Sequence, residues 1–181
     1  MATKNKANLI RDPFVVDTNV LIAANGDEPW QEIALECANR LTKIINTHRV
    51  CVDSLGLILT EYGKKLPSRS RSGFGDMFYL WIARNRANIQ FCEHVVITPR
   101  DSPEQGFKEC PPLQPEIAAI IDSSDRKFLA VAHAHTEKPP ILQATDCKWI
   151  GWKEALAKKG VRIDFVDEDF LRPIYERKMM R

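Results

Sequence analysis

Five short apolar runs punctuate the chain, at residues 14–16, 50–52, 95–98, 141–144 and 161–166. They are rich in β-branched residues and mostly continuous rather than alternating, as strands covered on both faces must be. Between them the apolar positions switch to helical spacing. Across residues 30–45, Trp30, Ile33, Ala34, Cys37, Leu41, Ile44 and Ile45 form the stripe of a helix buried on one side. Residues 55–66, 76–89, 125–135 and 149–158 repeat that logic, and Gly160 stands where a left-handed residue would end the last of them. Strands alternating with helices predict an α/β fold, a three-layer sandwich around a central parallel sheet of about five strands. Residues 101–115 read as a polar, proline-bearing loop, and 167–181 as a short helix with a frayed end. One domain is expected, its core at about 13–166 and its tail at 167–181. A chain of this length buries roughly 70% of the surface it would expose unfolded.

Composition narrows the class. No apolar run approaches the length of a membrane span, and the opening MATKNKANLIRDP lacks the continuous apolar stretch of a signal peptide. Five cysteines, odd in number and without a CxxC pair, argue against a zinc site or a disulfide framework. They favour a reducing compartment, so a cytoplasmic protein is expected, with no membrane partner. The net charge of +2 is too small to name a partner, and only local clustering can.

The acids fall at informative places. In FVVDTNVLIAANG, Asp17 ends the first strand just where a helical apolar stretch begins. Asp53 ends the second strand and Asp146, in ILQATDCKW, the fourth; Asp122 and Asp125, in IDSSDRKFLAVA, open a helix. In an open parallel sheet the strand C-termini share one edge, and ligands sit in the crevice there. Asp17, Asp125 and Asp146 are therefore expected at one rim. Each has an ordinary alternative, because Asp at a strand-to-helix junction is a favoured N-cap. For Asp53, followed by Ser and an apolar run, the cap reading is preferred; of Asp122 and Asp125, one can cap the helix. Glu61 lies mid-helix after LGLILT, where a lone inward carboxylate is costly unless paired or liganded; its bland reading is a solvated pair with Lys64 or Lys65. His133 and His135 stand two residues apart and cannot share a helix face, which argues against a histidine metal pair.

Taken together, FVVDTNVLI, Glu61 in LILTEYG, Asp125 in DRKFLAVA and Asp146 in QATDCKW resemble the PIN-domain nucleases, from residue 14 to about residue 166. The individual motifs are short, but four acids in the right order after the right elements make a specific composite. The resemblance implies a strand order of 3-2-1-4-5 and a metal site in which Asp17 serves as a ligand and caps nothing of importance. Asp17, Glu61, Asp125 and Asp146 would be catalytic and metal-binding, with Asn19, Ser54 and Asp122 in support. Many members carry a further Asp two residues after the equivalent of Asp146; here that place holds Lys148, which weakens the case for a second metal. Carboxylates without His or Cys suit Mg²⁺ or Mn²⁺. Such a site supports attack by water on a phosphodiester and leaves 5′-phosphate and 3′-hydroxyl ends.

Lys64, Lys65, Arg69 and Arg71 lie in KKLPSRSRSGFGDMFYLWIARNR with no acid until Asp76. Cations interleaved with rings suit single-stranded nucleic acid, so these four residues, with Lys148, are the expected contacts. Phe78, Trp81 and Ile82, at core spacing, are expected inside, as are Trp149 and Trp152. A receiver domain would need paired acids after the first strand, and a haloacid-dehalogenase fold an Asp at position 19; neither is present. The reading is a metal-dependent ribonuclease, of the kind found as toxins or in phage defence. An antitoxin or other regulatory protein and a homodimer are among its expected partners. The alternatives are a DNA-cleaving relative and a non-catalytic module that binds RNA or protein.

Overall fold

Val15 and Val16 have no exposed surface, because the strand that carries them, β1 (Asp12–Val16), has a neighbour on either side and helices over its faces. The structure is a computed structural model and describes residues 11–26, 29–66, 73–101 and 105–180. All strands run parallel in the order β3 (Cys92–Val95), β2 (His48–Asp53), β1, β4 (Ile141–Gln143), β5 (Ile163–Phe165), the order that the resemblance implies. The register sets Phe14 opposite Val50 and Val16 opposite Leu142. From β1 the chain builds outward through β2 to β3, then crosses back to place β4 on the other side of β1. The order reverses between β1 and β4, where a crevice opens at the strand C-termini.

Eight helices complete the described fold: α1 (Thr18–Ala24), α2 (Gln31–Thr47), α3 (Leu57–Lys65), α4 (Phe74–Asn85), α5 (Pro115–Ile120), α6 (Arg126–Ala134), α7 (Lys148–Ala157) and α8 (Glu168–Met179). Along α2 the predicted stripe is real: Ile33, Cys37, Leu41 and Ile44 are buried while Leu35 between them is 74% exposed. Phe78 and Ile82 are fully buried on α4, and Trp149 and Trp152 are buried with ring centroids 5.4 Å apart, as their spacing suggests. Gly75 permits α4 to start tight against α1, since a Cβ there would fall 1.9 Å from the Leu21 carbonyl oxygen. The five cysteines are free. No described helix is long and apolar enough to cross a membrane.

Two expectations, the third strand and the tail, need correction, and one helix, α5, is not among those expected. The third strand covers Cys92–Val95 rather than 95–98. Val96 to Thr98 leave the sheet: Val96 is 70% exposed, and Thr98 binds Glu109 and the Lys108 amide in a hairpin closed by the Pro99–Phe107 bridge. The β-branched run is thus spent on two structures, which local pattern alone cannot separate. After the 101–115 loop comes α5, a six-residue helix that buries no residue fully and so leaves no apolar stripe; Pro115 preorganises its first turn. The tail is no short frayed helix. Asp167 caps three turns of α8 through the Phe170 amide at 2.9 Å, and Leu171 is fully buried in the common core.

Candidate metal centre

Four acids meet at the β1–β4 rim. The Asp17 amide donates to the Leu142 carbonyl at 3.0 Å, which ties the end of β1 to β4 and brings Asp17 beside the turn that carries Asp146. Asp17 is only 2% exposed, and its Oδ1 accepts the Asn19 amide at 2.8 Å. It therefore does cap α1, contrary to expectation. A cap occupies one oxygen and leaves the carboxylate free for a second role. The Asp125 amide binds the Asp122 carbonyl at 3.0 Å, so these two acids share one turn before α6. Neither is a side-chain cap of α6: Asp125 itself has helical backbone angles and makes no cap bond. Its Oδ2 is buried without a hydrogen-bond partner. Asp122, Asp125 and Asp146 each offer a carboxylate oxygen, and these oxygens lie within 4.8 Å of one another.

Charge is crowded here. Burial, then the neighbouring Asp125, push the Asp17 carboxyl up to about 8, with Glu61 and Asp146 adding to the rise and the Asn19 amide opposing it. Burial, then Asp146 and Asp122, raise Asp125 to about 7 against the pull of Lys148 and Lys127. Carboxyls that hold protons near neutrality mark a place where negative charge lacks compensation.

Two lysines supply part of that compensation. Lys148 pairs with Asp122 and lies 3.4 Å from Asp146 Oδ2, so it belongs to the cluster rather than to open solvent. Lys127 is 7% exposed and donates to Glu61 Oε2 at 2.6 Å, while the Thr18 hydroxyl donates to Glu61 Oε1 at 2.6 Å. Glu61 thus pairs neither with Lys64 nor with Lys65, both of which are exposed, and it stands outside the group of three acids. Lys127 is a site residue that the sequence pattern does not single out. Residues Lys127 to Ala132 are buried without a break, and a lysine in such a run needs a carboxylate partner.

Other expected residues fall elsewhere. Asp53 is fully buried and accepts the Leu57 and Ile58 amides at 2.8 and 2.7 Å, a structural cap of α3. Ser54 is exposed and its amide extends the β2–β3 ladder to the Val95 carbonyl. Asn19 reaches Asp17 through its backbone. Arg69 and Arg71 lie outside the described residues. Lys64 and Lys65 line a cleft of about 320 Å³ together with Glu61, Lys127 and Ser124.

Cys51, Glu93 and His135 form a second close group, also within 4.8 Å. It does not suit a metal. The Glu137 amide donates to His135 Nδ1 at 3.0 Å, and His135 Nε2 lies 3.1 Å from Glu93 Oε2. Glu93 also accepts Arg49 Nε at 2.7 Å, and burial raises the Cys51 thiol far above its usual range. The group is an internal network joining β2, β3 and the end of α6.

No known family model matches this chain, nor does any curated protein or solved structure.

Proposed function

We propose that this protein is a divalent-metal-dependent endoribonuclease of the PIN type, acting in the cytoplasm on single-stranded or structured RNA. One observation carries the reading: Asp125 Oδ2 is buried without a partner, in a residue that offers a carboxylate oxygen within 4.8 Å of those of Asp122 and Asp146. An all-carboxylate donor set fits Mg²⁺ or Mn²⁺, and Asp122, Asp125 and Asp146, with Asp17 beside them, would hold the ion. When bound, the ion would supply Lewis acidity and lower the pKa of water.

The chain's own groups support the rest of a hydrolysis. Water attacks phosphorus, the P–O3′ bond breaks with its electron pair going to O3′, and a solvent proton completes the 3′-hydroxyl. The proton released by the attacking water passes to solvent, and Asp17, whose carboxyl is raised by burial and by Asp125, is held in its ionised form by the cation. Lys64 and Lys65 flank the cleft, where their charge favours the phosphates of an entering strand.

The test uses purified protein, Mn²⁺ and labelled oligonucleotides. Wild type is expected to cut RNA and leave 5′-phosphate ends, and Asp17→Asn to be inactive while folded. Undiminished cutting by Asp17→Asn defeats the assignment. Preference for DNA over RNA redirects it to a DNA-cleaving relative, and binding of RNA without cleavage to a binding module.

A further inference from the structure

An ammonium group has three N–H donors. Lys127 uses one on Glu61 Oε2 at 2.6 Å and one on the Ser124 carbonyl. The third has no acceptor among the described residues, yet Lys127 lines the cleft that Lys64, Lys65 and Ser123 also border. Its stem is fixed: the side chain is 8% exposed, and the Phe128 ring lies 4.5 Å from Nζ. Glu61 is fixed as well, because both its oxygens are taken, Oε1 by Thr18 and Oε2 by Lys127. Thr18 is the next residue after Asp17 and Ser124 precedes Asp125, so the pair is anchored to the acid cluster from two sides.

We propose that Lys127 is a catalytic cation of this site, presenting its third N–H to an oxygen of the scissile phosphodiester, and that Glu61 holds Lys127 in place instead of ligating metal. This rests on the nuclease reading above. A buried ion pair with no other task gains little over apolar residues of similar size. A buried ammonium with a spare donor facing a cleft is instead preorganised for an anion. Charge developing on the phosphoryl oxygens as P–O3′ breaks meets a donor that needs no reorientation. The protein thereby carries a fixed positive charge where its own acids would otherwise repel the substrate. No proton passes through Lys127 in this role.

The experiment combines Mn²⁺ calorimetry with cleavage kinetics on a single-stranded RNA oligonucleotide, for wild type, Glu61→Gln, Lys127→Met and Lys127→Arg. Glu61→Gln is expected to keep its Mn²⁺ affinity within about threefold. Lys127→Met is expected to bind Mn²⁺ at least as well as wild type and to lose about 10²–10³-fold in kcat with little change in KM, the usual effect of removing one preorganised donor. Lys127→Arg is expected to recover part of that loss. Because Lys127→Met strands the Glu61 charge, the double variant Glu61→Gln/Lys127→Met serves if the single one fails to fold. Its kcat is expected to fall as far as that of Lys127→Met. Wild-type kcat in Lys127→Met or in the double variant overturns the proposal, as does a tenfold loss of Mn²⁺ affinity in Glu61→Gln. A wild-type protein that neither binds Mn²⁺ nor cuts RNA overturns the nuclease reading and this inference together.

Discussion

Lys148 Nζ lies 3.4 Å from Asp146 Oδ2 and also pairs with Asp122, so one ammonium holds two of the three acids that could share a cation. A divalent ion entering the group must compete with it. Lys148→Asp replaces a competing cation by a further anion and is expected to tighten Mn²⁺ binding by about tenfold or more, as an added charge close to an ion would. Calorimetric titration of both proteins decides; equal affinities would mean that Lys148 does not act on the ion. Cleavage slows in the same variant if the ammonium also holds phosphate.

Asp17 and Asp125 make the metal-free protein sensitive to pH. Their carboxyls are raised from 3.8 to about 8 and about 7 in the folded state. A raised carboxyl pKa means that the folded state binds the proton more tightly than the unfolded one. The stability this gives is complete below pH 4 and is lost as pH rises through about 8. In EDTA, Tm is therefore expected to fall between pH 5 and pH 8 more steeply in wild type than in Asp17→Asn, and millimolar Mn²⁺ to remove the difference. Parallel Tm–pH curves for the two proteins in EDTA would refute the coupling.

Asp53 is a structural acid. Removing it strands the buried Ile58 amide and leaves that of Leu57 without its partner. Asp53→Ala is expected to cost about 2 kcal/mol, or roughly 4–8 °C in Tm for a domain of this size, with Mn²⁺ affinity unchanged. A loss of metal affinity in a protein that remains folded would place Asp53 in the site after all.

Lys64 and Lys65 are exposed on the cleft wall. Replacing both by Ala is expected to weaken binding of single-stranded RNA and to reduce the slope of log K against log salt by about one to two, since each phosphate contact contributes a little under one. Arg69→Ala/Arg71→Ala, in the neighbouring basic stretch, is expected to act in the same way. Fluorescence anisotropy over a salt series measures both pairs, and an unchanged slope marks the pair concerned as solvated surface.

The periodicity of the chain determined the layers. Continuous β-branched runs favour strands covered on both faces, as the run at 50–52 is, and the 3-4 spacing of Ile33, Cys37, Leu41 and Ile44 favours a helix with one buried side. The same logic put Asp17 and Asp146 at strand ends, because the C-terminal ends of parallel strands all lie along one edge of the sheet. Tertiary structure decided everything that depends on partners distant in sequence. Nothing local distinguishes Asp53, which spends its carboxylate on two amides of the next helix, from Asp125, which is left with an unpartnered buried oxygen. Lys127 reads as an ordinary helix lysine until α6 is seen to be buried along its length, with Glu61, 66 residues away, as the lysine's carboxylate. Lys148 read equally well as solvated. Its place became definite only when the turn before α6 brought Asp122 to it across 26 residues. Hydrophobic spacing is written along the chain; the compensation of buried charge is settled only when separate segments meet.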